Sequence, residues 1–373
     1  MNSADAYPYE PQSVPAPGET LKETLEDLDL QQADLARRTG LSTKHINQLI
    51  QGAASLSPDV AILLERTTGV PAGMWNRLEA AWRTHLARLN EEEALAGQTD
   101  WLAKFPMAEL VKRRILPDRT RTVANLRRLL DWFGVATPEV AEDVWRGYRT
   151  AFRRSTVLSP NEYATAVWLR QAELRARARE TARYDRSALM ALLPQLRTLT
   201  LHEQDVWMQV LPELCARVGV AVVFVPALPK TSVSGATRWL TPDKVMVVLS
   251  DRFKKDDQFW FTFFHELAHI LLHGKRLTFM DDSENLASSR THEDPSEDEA
   301  NEMAATVLIP PAYAADYRSL CAKPMPFVRI EAFAAKVGIA PGIVVGRLQH
   351  EGALPWSHGN DYKHTIVLSD TAE

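Results

Sequence analysis

Cysteine is almost absent from this chain of 373 residues: Cys215 and Cys321 are the only two, and they lie far apart. That excludes a disulfide framework and a cysteine-based zinc finger, and it suits a cytoplasmic protein. No run of about 18 or more apolar residues is free of charge, so no membrane span is expected. The opening residues, "MNSADAYPYEPQSVPAPGE", lack the basic start and apolar stretch of a secretory signal. There is no internal repeat and no long low-complexity tract. What is left is ordinary globular composition, 45% hydrophobic and 24% charged, at a length that suits about two or three domains.

The net charge of −5 is unevenly spread. Residues 101–200 hold 19 Lys/Arg against 10 Asp/Glu, an imbalance that marks either a polyanion-binding region or a solvated set of helices. Residues 281–302 are the counterpart, with nine carboxylates against one arginine.

Helical periodicity runs from 18 to about 90. "ETLKETLEDL" places Leu21, Leu25 and Leu28 on one face, and Ser57-Pro58 reads as a helix cap followed by a first-turn proline. The next hundred residues continue in helical fashion, with Pro106, Pro117, Pro138 and Pro160 as breaks. From 203 the texture changes. "EQDVWMQVLPELCARVG" reads as a helix, followed by three β-rich runs, "VAVVFVPAL", "SVSGATRWL" and "KVMVVLS". Further helices are expected at 297–308, near 326–337 and near 341–350, with "HTIVLSD" as a late strand. The fold class predicted is mostly α with a small β-sheet (α+β).

Residues 32–52 carry the spacing of a helix-turn-helix. Ala36 is small where two helices cross, Gly40 sits where the turn needs positive φ, and Ile46 packs the second helix on the first. Leu35, Leu41, Leu49 and Ile50 add core, and Ser42 is a good N-cap. The outward positions of the second helix are Thr43, Lys44, His45, Asn47 and Gln48, side chains suited to phosphates and base edges.

The segment "FWFTFFHELAHILLHGK", residues 259–275, carries a second chemistry. On a helix, His265 and His269 lie one turn apart on one face, where both imidazoles reach the same ion. Glu266 then stands beside that ion, placed to take a proton from water. A third ligand is expected in "PSEDEANEMAATVLIPP". There Glu297, Ala300, Ala304 and Leu308 share one helix face, and a carboxylate on an apolar face needs a partner. Asn301 is placed to orient a histidine from behind the ligands. Glu299 is the alternative ligand but points about 160° away, and His273 is a further candidate, read as supporting the site or lying at the surface. Tyr313, Tyr317 and His350 each offer an oxyanion donor, and the sequence does not choose among them.

Over about 65 residues, from "PGETLKETLEDL" to "MWNRLEAAW", the N-terminal part resembles the HigA antitoxin branch of the Xre/Cro helix-turn-helix family. The resemblance implies a dimeric DNA-binding repressor on a roughly palindromic double-stranded operator. "FTFFHELAHILLHG" followed by "EDEANEMAATVLIPP" resembles the ImmA/IrrE zinc metallopeptidases, with Met303 where that family usually has Phe. This second likeness spans about 200–355 and implies a zincin-like domain. Its Zn2+ would be held by His265, His269 and Glu297, with Glu266 as general base. The domains expected are a flexible tail at 1–17, a helix-turn-helix domain at 18–90, a basic helical linker at 91–200, a metallopeptidase domain at 201–355 and a C-terminal tail at 356–373. Together they imply a homodimeric regulator that cuts a partner repressor or itself when a signal such as single-stranded DNA arrives. The other reading is an antitoxin or transcription factor of a toxin-antitoxin system, its zinc domain a sensor or a structural module. The acidic segment 281–296 is a candidate cover for the cleft.

Overall fold

The computed structural model describes residues 14–151, 162–229, 231, 233–273, 279–282, 295–321 and 327–369. Pro160, most of the N-terminal tail and most of the acidic segment 281–296 lie outside the described residues. The chain packs as two units, residues 1–99 and 100–373. No helix among the described residues is long and apolar enough to cross a membrane.

The first unit holds α1 (Pro17–Asp27), α2 (Gln32–Thr39), α3 (Thr43–Ile50), α4 (Pro58–Thr68) and α5 (Ala72–Ala96). Its core is Leu21, Leu25, Leu35, Ala36, Ile46, Leu49, Leu64 and Trp75 with their neighbours. Gly40 ends α2 in the left-handed region at φ 76°, which turns the chain sharply enough for α3 to cross α2. Ser42 caps α3 by accepting from His45 N at 3.1 Å, and Ser57 caps α4 by accepting from Val60 N. Leu28 departs from the expected face. α1 stops at Asp27, so Leu28 is thrown off the helical stripe and is 44% exposed.

The second unit is built on a mixed sheet of four strands in the order β1-β3-β2-β4. These are β1 (Val220–Phe224), β2 (Val233–Thr241), β3 (Lys244–Leu249) and β4 (Phe279–Asp282). β1 runs parallel to β3, while β2 is antiparallel to both β3 and β4. Before the sheet come α6 (Met107–Lys112), α7 (Val123–Phe133), α8 (Pro138–Ala151), α9 (Glu162–Ala178), α10 (Arg186–Thr198) and α11 (Gln204–Ala216). After β3 come α12 (Asp256–Leu272), α13 (Pro295–Leu308), α14 (Ala314–Cys321), α15 (Phe327–Val337) and α16 (Pro341–His350).

Successive residues of a strand face opposite sides of a sheet. On β2, Thr237 bonds α12 and Arg238 pairs with Glu173 of α9, so these two helices cover opposite faces. The expected boundary near 200 is therefore not where the chain divides. From residue 100 the basic region packs in the second unit: α9 covers one face of the sheet, and α10 packs in the core that holds α12.

Its arginines explain how. Three consecutive carbonyls at the end of β1 are each satisfied from α9 or from Arg113, the residue after α6. Arg175 donates to Phe224 O at 2.7 Å, Trp168 Nε1 to Val225 O at 2.9 Å and Arg113 to Pro226 O at 3.0 Å. Buried backbone carbonyls need such partners. Glu173 sits among Arg170, Arg177 and Arg238 at 3.2, 2.9 and 3.5 Å. Burial alone would raise its carboxyl, but the Arg177 bond and the three charges outweigh it and hold the group low. Arg186 and Arg197, both on α10, donate to Leu271 O and Val307 O in the last turns of α12 and α13. Cations are favourable at such helix ends.

The expected late strand makes only an isolated bridge, Lys255 to Thr365, among the described residues. Yet the segment expected as a C-terminal tail packs into this unit as far as residue 368. Ile366 and Leu368 are buried. Lys363, itself buried, forms an ion pair of 2.6 Å with Asp257 and donates to Gln349. Next to it, Asp256 accepts from the backbone of Asp257 and His364. Burial, with the Asp257 charge adding to it, pushes the Asp256 carboxyl up to about 6.

A raised folded pKa stabilises below the unfolded value of about 4 and loses that contribution as pH climbs through about 6. At neutral pH the Asp256 charge is therefore a cost. Asp256→Asn keeps the acceptor oxygen and is expected to raise the melting temperature at pH 7.5, by an amount corresponding to roughly 1–3 kcal/mol. The gain should vanish below about pH 4. Thermal scans of both proteins across pH check this.

Candidate metal centre and DNA-reading helix

α12 is apolar around nearly its whole circumference, which marks a helix meant for the interior. Asp256 and Asp257 in its first turn suit the positive end of the helix dipole. Phe259, Trp260, Phe263 and Phe264 are buried, and Trp260 and Phe263 pack edge to face. Against this background three polar residues stand out: His265, Glu266 and His269, at 1%, 0% and 1% exposure.

His265 and His269 direct Nε2 atoms toward each other, 2.9 Å apart. The third member comes from α13. Ala300 and Ala304 are fully buried, and their small side chains let α13 lie close against α12. That brings Glu297, in the first turn of α13, to 3.2 Å from His265 Nε2 and 3.7 Å from His269 Nε2. Among the described residues these three offer donor atoms all within 4.8 Å of one another.

The set fits a zinc ion. Ligands at ~2.0–2.2 Å around a tetrahedral ion stand roughly 3.3–3.5 Å apart, and the three observed separations bracket that range. The protonation states also fit. Burial pushes His269 down to about 4, so its imidazole is neutral at neutral pH with a lone pair to give. Burial would raise the Glu297 carboxyl, but its bonds to the two imidazoles prevail and hold it below the usual carboxylate range. His265, His269 and Glu297 make three protein donors, the number that a catalytic zinc takes.

Glu266 stands outside this cluster and turns toward β2, where its Oε2 accepts from the Thr237 hydroxyl at 2.5 Å. Thr237 itself carries no signal in the sequence. The one visible signal was Gly235, a glycine inside a strand pattern, which marks a close backbone approach. A Cβ at Gly235 would meet Glu266 Oε1 at 2.8 Å.

The remaining expected residues separate. His273 is not part of the cluster; its Nε2 lies 2.9 Å from Ser296 O and ties the end of α12 to the start of α13. Glu299, the alternative ligand, points outward with a side chain 61% exposed. Asn301 makes no hydrogen bond to either histidine, and its Oδ1 is buried without a partner among the described residues. Of the three oxyanion candidates, Tyr317 gives its hydroxyl to Glu351 at 2.8 Å.

In the first unit, α3 carries the residues expected to read DNA. Thr43, Lys44 and Asn47 are exposed, while His45 and Gln48 are half-buried. The inward face of the helix, Ile46 and Leu49, is fully engaged in the core.

Comparison with known proteins joins the two ends. Residues 21–75 match the family described as helix-turn-helix, and residues 215–320 match the family described as IrrE N-terminal-like domain, peptidase M78. Over 68 residues the chain is 32% identical to YddM of Escherichia coli K12, an uncharacterized HTH-type transcriptional regulator, covering 18% of this chain and 72% of that protein. The chain belongs to the HTH-type transcriptional regulators. A Nostoc punctiforme crystal structure, described as a candidate antidote protein of a plasmid maintenance system, is also similar. It aligns at 30% identity over 21% of this chain and 91% of its own, with a TM-score of 0.20. This HTH-type regulator thus joins a DNA-binding domain at its N-terminus to a peptidase-like domain that contains the whole His265–His269–Glu297 cluster.

Proposed function

We propose that this regulator is a zinc-dependent endopeptidase as well as an operator-binding protein, and that it cuts a partner repressor, or its own chain, in response to a signal such as single-stranded DNA. The observation that carries this reading is the separation of roles on two helices: three donors converge on one point while a second carboxylate, Glu266, stands apart from them. His265, His269 and Glu297 would hold the zinc. The chemistry zinc supplies in such a site is Lewis-acid polarisation of a carbonyl and of water. Glu266 is the general base, accepting the proton of the attacking water and passing it to the leaving amine. All four of these side chains are buried, which largely keeps bulk water from them.

DNA binding is assigned to Thr43, Lys44, His45, Asn47 and Gln48 of a homodimer on a two-fold operator. Lys44→Ala is expected to weaken binding evenly across sequences and to reduce the salt slope by about one, whereas Asn47→Ala and Gln48→Ala should relax base preference. Titrations of operator DNA at several salt concentrations measure both effects.

The peptidase reading is tested by co-expressing the wild type and Glu266→Gln with the products of neighbouring genes, with and without DNA damage. A fragment that forms only with the wild type supports it. The near-complete burial of all four site residues favours a second reading, an antitoxin or transcription factor whose zinc site senses or stabilises without proteolysis. That reading prevails if no fragment forms, Glu266→Gln has no phenotype and His265→Ala unfolds the domain.

A further inference from the structure

We propose that Thr237 is a positioning residue for Glu266: its hydroxyl, presented by β2, holds one carboxylate oxygen while the bare backbone of Gly235 makes room for the other. The catalytic consequence rests on the peptidase reading above; the bond itself does not.

The two residues are two apart on one strand and therefore share the face turned to α12. Thr237 is 1% exposed, and its Oγ1 lies 2.5 Å from Glu266 Oε2 and 3.2 Å from the Glu266 backbone carbonyl. A hydroxyl has one proton, and the carboxylate is the nearer and stronger acceptor. At Gly235 an added Cβ would stand 2.8 Å from Glu266 Oε1 and 2.6 Å from Thr262 Cγ2. A side chain at 235 would therefore press on the carboxylate directly. Oε2 is gripped and Oε1 is closely fitted, each by its own residue of β2.

The support is rigid. β2 is an interior strand, and Thr237 is opposite Val247 of β3 on one side and Phe279 of β4 on the other. Two ladders fix its backbone, and β-branching restricts its χ1. Glutamate, in contrast, has three side-chain torsions, and the last is broad. A base on so flexible a stem transfers protons well only when its orientation is set beforehand.

The experiment uses the full chain. Thr237→Val removes the donor at nearly constant shape, Thr237→Ser keeps it, and Glu266→Met supplies the background without a carboxylate. In chelator-treated protein, Thr237→Val is expected to lower the melting temperature by about 3–8 °C. Thr237→Ser should cost less than half of that, and Thr237→Val should cost almost nothing in the Glu266→Met background. With zinc restored, kcat on the substrate recovered by co-expression should fall about ten- to a hundredfold for Thr237→Val and return with Thr237→Ser. KM and zinc affinity, measured by competition with a chromophoric chelator, should not change.

An equal thermal cost of Thr237→Val in both backgrounds overturns the bond. An unchanged kcat alongside an intact thermal cycle overturns the positioning role. If the wild type cleaves nothing while the cycle holds, the peptidase reading fails and the anchorage of Glu266 stands.

Discussion

Glu266→Gln is expected to cut the rate of peptide-bond cleavage by about a hundred- to ten-thousandfold, the range associated with removing a general base. Zinc content and melting temperature should stay close to those of the wild type. The substitution keeps the shape of a side chain that is fully buried, and the amide oxygen still accepts from Thr237. What is lost is the ability to take a proton. The three groups that hold the metal are other residues, so a chelator competition should show unaltered zinc affinity. A variant that lost zinc as well would place Glu266 among the ligands and contradict the geometry. Timed cleavage assays with metal analysis of the same samples give both readings.

Glu297→Ala is expected to have the opposite signature: loss of the metal first, and of activity only as a result. Even residues that merely orient a ligand cost about 10–100-fold in affinity when removed, so loss of one of three direct donors should exceed a hundredfold. The variant also removes the carboxylate that lies between two buried imidazoles at 3.2 and 3.7 Å. Glu299→Ala is the control. Its side chain is 61% exposed and outside the cluster, so zinc binding should be unchanged. Equal zinc loss in both variants would show that α13 is positioned differently from the arrangement described above. Titration with zinc after chelator treatment decides the matter.

Much of this was legible in the sequence because the relevant signals are local. The pattern of His265, Glu266 and His269 depends only on the helical repeat, and Glu297 stood out because a carboxylate on the face of Ala300, Ala304 and Leu308 demands a partner. The three β-rich runs fall on β1, β2 and β3 for the same reason: period and residue type suffice. Apart from the local end of α1 at Leu28, the misses are non-local. Nothing in the spacing of Arg113 and Arg175 says that they serve the carbonyls after β1, so a structural set of cations read equally well as a surface for nucleic acid. Thr237 looks like any strand threonine until α12 is laid across it. Residues 363–368 looked like a tail because the charge that holds Lys363 comes from Asp257, more than a hundred positions earlier.

The two arginines of α10 have a mechanical consequence. Arg186 grips the last turn of α12 and Arg197 the last turn of α13, the two helices that carry the zinc donors. α10 is thus tied to both: Arg186 holds α12 in the turn that carries His269, and Arg197 holds α13 at the end away from Glu297. With both helices fastened, α12 and α13 cannot slide past each other without breaking a charge-assisted bond. The spread of the three donors is therefore built into the scaffold before any ion arrives.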